Sequence, residues 1–188
     1  SVGGTKMRTG KLENDEWVRL VEAGDILSRA NIYLDDTPSI TVPEMKAKLR
    51  RLRTVDLVII DYLQLMTGAS RRNDGNRVQE ISEITRSLKI MAKELNIPVL
   101  TLSQLARDSE KRTNHRPVLS DLRDSGSIEQ DADIVMMLYR EDYYKDENPP
   151  EEANANITEV IVAKNRHGPV ETVELGWNQD YTMFTTLE

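Results

Sequence analysis

Residues 55–65 read VDLVIIDYLQL, and this stretch decides the fold. Four apolar residues, Leu57 to Ile60, run directly into the carboxylate of Asp61. Such a run is typical of a strand buried in a parallel sheet, where ligands bind beyond the carboxyl ends of the strands. A carboxylate there can hold a magnesium-bound water beside nucleotide phosphates, or it can simply cap a turn. The stretch therefore predicts half of a nucleotide site.

Composition restricts the class of protein. The chain has 188 residues, of which 38% are hydrophobic and 30% charged, as is usual for a soluble globular domain. Cys is absent and His occurs twice, which excludes disulfides and thiolate metal sites and argues against zinc. No apolar run approaches the roughly 20 residues of a membrane span, so we expect no membrane partner and a cytoplasmic setting. The net charge of −7 requires any nucleic-acid contact to be local.

Strand and helix patterns alternate through the first two thirds of the chain. Helices are expected where apolar residues recur at helical spacing or follow a cap: 13–29, the segment after the capping box at 41–44, a long helix behind Asn76 with an apolar stripe from Val78 to Leu95, and a short helix capped by Ser120. Strands are expected at the short apolar runs: 32–34, 57–60, 98–102, 133–139, 157–164, 170–176 and 181–187. This order favours one α/β domain over residues 1–188, a mostly parallel sheet flanked by helices with an antiparallel C-terminal edge.

Two further polar segments are candidates. Gln104 follows the apolar run at 98–102, and an amide at the end of such a strand can sense a γ-phosphate and move a loop. The segment 120–133 reads SDLRDSGSIEQDAD, in which Gly126 between two Ser frees backbone N–H groups and Arg123 adds a cation, both suited to phosphate oxygens. A helix connection capped by Ser explains that segment equally well, and its many acids argue against a simple anion site.

Two basic segments are also candidates. Lys164 and Arg166 stand two apart on a predicted strand, so their side chains point the same way and can reach a phosphate of a neighbouring subunit. A solvated hairpin tip is the ordinary alternative. Arg71, Arg72 and Arg77 belong to the polar loop beyond the Asp61 strand, where a DNA-facing role and a solvated charged face both remain open.

Taken together, these segments resemble the C-terminal motor domain of the hexameric DnaB-like replicative DNA helicases. The resemblance implies a RecA-like P-loop NTPase core and covers nearly the whole chain. The stretch from Arg116 to Tyr144 is the most specific of its parts. The matching segments are MRTGKL (7–12), YLDDTPSI (33–40), LVIIDYLQLM (57–66), ISEITRSLKIMAKELNIPVLTLSQLAR (81–107), RPVLSDLRDSGSIEQDADIVMMLYREDYY (116–144) and VAKNRHGPV (162–170).

The resemblance implies a role for each candidate. Asp61 corresponds to the Walker B acid that holds Mg²⁺, and Gln104 to the residue that couples the γ-phosphate of ATP to DNA-binding loops. Arg123, Asp124 and Gly126 correspond to the loop that contacts phosphates of single-stranded DNA. Lys164 and Arg166 correspond to the trans-acting Lys and Arg finger of a neighbour's ATP site. The implied partners are single-stranded DNA, a homo-hexamer, primase and a helicase loader.

The family's phosphate loop, GxxxxGK(S/T), does not occur in these 188 residues, and the catalytic Glu of the family also falls outside the matched segments. We therefore expect a helicase motor truncated upstream of Walker B, lacking the Walker A strand and loop and the N-terminal collar. This piece alone is expected to have no ATPase activity. Two alternatives stay open: a non-catalytic binding module for a loader or primase, and another RecA-like ATPase of the recombination or repair kind.

Overall fold

A computed structural model describes residues 2–52, 54–70, 76–106, 112, 114–122, 126–144 and 156–187. The chain divides into two compact units. The first unit is formed by residues 1–36, 140–160 and 173–188, and the second by residues 37–139 and 161–172. That residues 1–188 form one partial domain stays a prediction.

From Val58 onward the described elements follow the predicted order; before it, the strand expected at 32–34 is absent and a helix at Gly4–Thr9, which was not predicted, is present. The α-helices, α1 to α5 in chain order, are Gly4–Thr9, Asn14–Arg29, Val42–Leu49, Arg77–Leu95 and Gly126–Asp131. The strands, β1 to β6, are Val58–Ile60, Val99–Thr101, Ile134–Tyr139, Ile157–Asn165, Thr172–Asn178 and Met183–Thr186. Short 3₁₀ turns lie at Leu63–Leu65, Leu119–Leu122 and Glu141–Tyr144.

The second unit contains a parallel pair of strands. β1 and β2 are in register from Val58 opposite Val99 to Ile60 opposite Thr101, which confirms the parallel arrangement predicted for the first strands. β3 and the part of β4 from residue 161 onward also belong to this unit, and the two strands are neighbours in a sheet. Because β1 and β2 run the same way, their carboxyl ends meet at one edge, and that edge carries the site.

Helix α4 supplies much of the core of the second unit. The Asn76 side chain accepts a hydrogen bond from the Gln79 backbone N–H at 3.2 Å, as the sequence predicts, and the helix ends at Asn96, whose φ of 54° is left-handed. Of its apolar stripe, Ile81, Ile84, Leu88 and Met91 are buried in the core, Leu95 is half-buried against it, and Val78 is 49% exposed. The core comprises Val42, Ile60, Leu63, Met66, Ile81, Ile84, Leu88, Met91, Leu122, Ile128, Val135 and Met137.

The other face of β1 and β2 is open in the part of the chain that the structure describes. Ile59 is 61% exposed and Leu100 is 40% exposed, although their neighbours Ile60 and Thr101 turn inward or are half-buried. Alternate residues of a strand point to opposite faces, so the core of this unit lies against one face of the pair.

The first unit contains the antiparallel edge. β5 and β6 pair from Leu175 opposite Thr186 to Asn178 opposite Met183, which confirms the antiparallel C-terminal end. Helix α2 begins at a capping box formed by Glu13 and Glu16. The expected strand at 32–34 is absent: this described segment has no strand partner, and its apolar side chains remain exposed, Leu34 by 94%. Among the described residues, no helix has the length and apolarity that crossing a bilayer requires.

Candidate functional site

Asp61 is the first residue beyond β1, and its side chain is exposed. The ladder between the two parallel strands continues past it: Leu102 N–H donates to the Ile60 carbonyl at 2.9 Å, and Leu63 N–H donates to the Leu102 carbonyl at 2.9 Å. Backbone bonds on both sides therefore fix the position of Asp61, while its carboxylate stays accessible. We call the group formed by Asp61, Gln64 and Gln104 the strand-end cluster.

Gln104 lies beyond the end of β2, and the side chain of Gln64 holds its backbone. Gln64 Oε1 accepts from Gln104 N–H at 3.2 Å, and Gln64 Nε2 donates to the Gln104 carbonyl at 3.3 Å. Nε2 also donates to Ser103 Oγ at 3.0 Å. We call these bonds of the Gln64 side chain the clamp. They use the Gln104 backbone and do not involve its exposed side-chain amide. The structure thus brings Asp61 and Gln104 together at one sheet edge, as the sequence predicts.

The donor set at this edge suits Mg²⁺. Among the described residues, no three acidic or His side chains group into a metal site. Mg²⁺ prefers hard oxygen ligands and usually takes one or two carboxylates, several waters and the phosphates of its substrate. The exposed carboxylate of Asp61 offers such an oxygen. When bound there with a nucleotide, Mg²⁺ would supply charge neutralisation for the phosphates.

Arg77, predicted as a DNA contact, reaches its own chain in this structure. Its guanidinium donates to the Gln64 carbonyl at 2.6 Å and to the Met66 carbonyl at 3.4 Å, and it pairs with Glu80. The first turn of α4 is thereby tied to the segment after Asp61. A DNA role for Arg77 stays a prediction, and Arg71 and Arg72 lie outside the described residues.

Two glutamates of α4 anchor the start of the polar loop. Glu80 accepts from Gly68 N–H at 2.9 Å, and Glu83 accepts from the N–H and hydroxyl of Ser70, both at 3.1 Å. The Gly68 N–H, together with the Arg77 guanidinium, holds the pKa of Glu80 below its ordinary value. Residues 68–70 are therefore fixed against α4 where the chain enters the loop.

Lys164 and Arg166 both contact the C-terminal end of α5. Lys164 Nζ donates to the Ala132 carbonyl at 2.8 Å and also to the Glu129 carbonyl. The Arg166 guanidinium donates to the Gln130 carbonyl. The last carbonyls of a helix lack partners within it and carry partial negative charge, so cations are favoured there. The predicted common direction of the two side chains is consistent with this contact. We call these residues, with α5, the finger cluster.

Asp133 adds a carboxylate to the finger cluster. It forms an ion pair with Lys89 of α4, and its Oδ1 lies 3.7 Å from Arg166 Nε. The Lys89 ammonium holds the pKa of Asp133 below its ordinary value, and the charges of Arg166 and His167 act in the same direction. Asp133 therefore stays ionised near neutral pH and keeps Arg166 beside α5.

The candidate DNA segment is described only in part. Gly126 is the first residue of α5 and is exposed, and a Cβ added to it would meet nothing within 4 Å. Arg123 and Asp124 lie outside the described residues. Immediately before them, Asp121 is 5% exposed, pairs with Arg112, and accepts from Val118 N–H at 2.8 Å. The negative charge of Asp121 is thus compensated within the chain.

Two of these residues were not predicted to matter. Gln64 has one signal in the sequence, a lone amide between two leucines three residues after Asp61, but only its spatial neighbours reveal what it bonds to. Asp121 was counted among the acids that oppose an anion site, whereas its ion pair with Arg112 and its backbone bond make it a buried structural residue.

The comparison with protein families gives one match over nearly the full chain: the model described as the DnaB-like helicase C terminal domain matches residues 1–186. Among curated proteins, the replicative DNA helicase DnaB of Geobacillus stearothermophilus is 50% identical over 191 aligned residues, covering 100% of this chain. Replicative DNA helicase DnaC of Bacillus subtilis (strain 168) gives the same identity and coverage. The chain spans 41% of the length of each of these relatives.

Solved structures agree with this assignment. A DnaB-like replicative helicase, solved in a study of its interactions with primase, superposes with a TM-score of 0.90 and 40% identity. The match covers 100% of this chain and 46% of that one. A solved ATPase domain gives the same TM-score and identity, with 66% of its chain covered. The chain has the RecA-like fold of these ATPase domains, and it belongs to the DnaB-like helicase C-terminal domain family.

Proposed function

We propose that this chain is the C-terminal part of the motor of a replicative DNA helicase, which couples ATP hydrolysis to translocation on single-stranded DNA and to duplex unwinding. One observation carries the proposal furthest: Asp61 and Gln104 lie exposed at the carboxyl ends of two neighbouring parallel strands. This is where open α/β sheets bind their ligands. The family membership supports a nucleotide as the ligand, and the proposal takes it to be ATP with Mg²⁺.

At the strand-end cluster, the Asp61 carboxylate would hold Mg²⁺, which would supply charge neutralisation for the phosphates of ATP. Gln104 lies on the adjacent strand end and donates its side-chain amide toward the γ-phosphate. Loss of that phosphate removes the partner of the amide, and the segment after β2 then relaxes. Electrostatic stabilisation and positioning account for most of the rate enhancement in phosphoryl transfer, so a single carboxylate and a single amide can both be essential.

The finger cluster acts on a neighbouring subunit. Lys164 and Arg166 would leave the carbonyls of α5 and donate to the phosphates of ATP held by the next subunit of a homo-hexamer. Hydrogen bonds between cations and phosphate are stronger than those between the same cations and neutral carbonyls, which makes the exchange favourable. Each ATP site then consists of Asp61 from one subunit and Arg166 from another.

Single-stranded DNA is the proposed second substrate. Arg123, Asp124 and Gly126 would contact its phosphates through side chains and backbone N–H groups, with Arg71, Arg72 and Arg77 as further candidates. The chain carries a net charge of −7, so these contacts are local. Arg123 and Asp124 precede α5 in the sequence and Gly126 begins it, so the proposed DNA contact and the finger cluster share this short helix.

The remaining partners follow from the family. A solved relative was studied for its interactions with primase, which supports primase as a partner. A helicase loader and a cytoplasmic, nucleoid-associated location complete the proposal. The 188 residues contain no GxxxxGK(S/T), so we propose that they do not hydrolyse ATP on their own.

The test uses the complete gene product that contains this sequence and, separately, the 188-residue chain. ATP hydrolysis is measured with and without single-stranded DNA, and unwinding is measured on a forked duplex. The expected result is DNA-stimulated hydrolysis and unwinding by the complete protein and background hydrolysis by the chain alone. A folded hexamer of the complete protein that neither hydrolyses ATP nor unwinds DNA would overturn the proposal.

A further inference from the structure

Gln64 links three segments that belong to different parts of the sequence. It stands three residues after Asp61, in the 3₁₀ turn that follows β1. Its side chain bonds the backbone of Gln104 and the hydroxyl of Ser103, beyond the end of β2. Its own carbonyl accepts from the Arg77 guanidinium, in the first turn of α4. No other described residue near Asp61 bonds all three segments.

The clamp continues the hydrogen-bond pattern between β1 and β2, with a side-chain amide in place of a backbone peptide group. The last backbone bond between the two strands is Leu63 N–H to the Leu102 carbonyl. Beyond it, the Gln64 amide offers one acceptor and one donor, and the Gln104 backbone supplies the matching N–H and carbonyl. A side-chain amide reproduces the hydrogen-bonding groups of a peptide unit. A carboxylate at this position retains the acceptor alone, and an alkyl chain retains neither.

We infer that Gln64 is a positioning residue for ATP hydrolysis, which fixes the backbone of Gln104 so that the Gln104 side chain responds to the γ-phosphate as a rigid extension of β2. This inference rests on the proposed function. Because these bonds join the Gln104 backbone to the ends of β1 and β2, a change at the Gln104 side chain moves residues 102–106 as one unit, and loss of the γ-phosphate is not absorbed by a loose loop.

The next contact along the chain leads toward the candidate DNA segment. Two residues after Gln104, the Ala106 N–H donates to the Asp121 carbonyl at 2.8 Å. Asp121 is buried and held by Arg112. A displacement of Gln104 therefore reaches, through one backbone hydrogen bond, the residue that precedes Leu122 and the segment 123–125. Gln64 sets the starting position of this path.

The test compares variants of the complete gene product. Gln64→Leu removes donor and acceptor at similar volume, whereas Gln64→Glu keeps the acceptor. Gln179→Leu, at an exposed glutamine of the first unit, is the matched control. We expect Gln64→Leu to lower the DNA-stimulated kcat about tenfold, with KM for ATP and DNA affinity changed less than about twofold. The control is expected to match the wild-type protein.

A second readout reports the clamp directly. Amide hydrogen exchange of the peptide spanning residues 102–106 is expected to speed up in Gln64→Leu and to change less in Gln64→Glu, because the Glu side chain still accepts from Gln104 N–H. A merely structural role would instead lower the melting temperature, raise KM for ATP, and lower kcat and DNA affinity together.

The outcomes are distinguishable. A wild-type protein without DNA-stimulated hydrolysis refutes the proposed function. An active wild-type protein with unchanged kcat and exchange in Gln64→Leu overturns the inference about Gln64 alone. If Gln64→Leu fails to fold, Gln64→Glu decides: a lowered kcat with faster exchange of residues 102–106 than in the wild-type protein supports the clamp, and wild-type kcat with wild-type exchange overturns it.

Discussion

The strand-end cluster and the finger cluster are held in opposite ways. In the strand-end cluster, hydrogen bonds fix the backbone on either side of Asp61 and at Gln104, while both of those side chains stay exposed. In the finger cluster, the side-chain nitrogens of Lys164 and Arg166 are themselves bonded to carbonyls at the end of α5. The strand-end cluster therefore leaves its carboxylate and amide accessible to a ligand, whereas the cations of the finger cluster are already hydrogen-bonded within the chain.

This difference separates a preorganised site from an exchangeable one. Within the part of the chain that the structure describes, the Asp61 carboxylate has no hydrogen bond or ion pair to give up on binding a ligand, so the cost there is mainly that of dehydration. Use of Lys164 or Arg166 on another subunit requires hydrogen bonds of charged donors to be given up, each worth about 1.5–3 kcal/mol. Under the proposed function a phosphate would have to repay that cost, so the finger cluster would act only when a charged partner is bound. The predictions below test this contrast, from the largest expected effect to the smallest.

The largest effect is expected for Arg166→Ala in the complete gene product. If Arg166 completes a neighbour's ATP site, DNA-stimulated kcat should fall by about 10³-fold, the lower end of the range for an arginine finger. Arg29→Ala, at an exposed cation of α2, is the control. Steady-state ATP hydrolysis measures both. A fall of less than about threefold in a folded hexamer would leave Arg166 as a structural partner of α5 and remove the exchange from the finger cluster.

A smaller effect is expected for Arg123→Ala, which acts on the segment entering α5. Loss of one phosphate contact should weaken single-strand binding equally across DNA sequences and reduce the slope of log affinity against log salt by about 1. Fluorescence anisotropy at several salt concentrations gives the slope. An unchanged slope would mean that Arg123 does not contact DNA phosphates, and the proposed link between DNA contact and the finger cluster would then fail.

The smallest effect concerns Asp133, which holds Arg166 beside α5. Its folded pKa is lowered below the unfolded value of 3.8, so the ionised carboxylate stabilises the fold above that value. The contribution disappears as pH falls through the folded pKa. Because the side chain is 48% exposed, solvent screening limits the loss in Asp133→Asn to about 0.5 kcal/mol at neutral pH.

Thermal melts from neutral to acid pH check this prediction. The difference between the wild-type protein and Asp133→Asn should shrink as the pH becomes acid, and Asp25→Asn, in an exposed pair on α2, should differ from the wild type by less at every pH. A gap that grows with acidity would contradict the sign of the pKa shift.

Local sequence was sufficient where local chemistry decides the structure. The caps at Thr41 and Asn76, the buried stripe of α4 and the parallel pairing of β1 with β2 were all predictable, because each depends on residue spacing or on a neighbouring side chain. Residues 32–34 show the limit of this approach: their apolar composition suggested a strand, but a strand forms only beside a partner, and the described chain offers none there.

The positions of the candidate residues at the ends of the strands were predictable from the sequence, but their hydrogen-bond partners were not. The sequence places Asp61 and Gln104 after strands, so their meeting at one edge follows from parallel pairing. The clamp by Gln64 and the contacts of Lys164 and Arg166 with α5 join residues about 30 to 40 positions apart, as the 40-residue separation of Gln64 and Gln104 illustrates. Such contacts depend on packing, which spacing along the chain does not encode.

The most direct measurement mixes two variants of the complete gene product, Asp61→Asn and Arg166→Ala. Each alone is expected to lose DNA-stimulated ATP hydrolysis. Where the two kinds of subunit adjoin in a mixed ring, Asp61 of one meets Arg166 of the other, and that site is intact. Mixed hexamers, verified by native mass spectrometry, are therefore predicted to regain hydrolysis. Mixed hexamers as inactive as the separate variants would contradict a site shared between the strand-end cluster of one subunit and the finger cluster of the next.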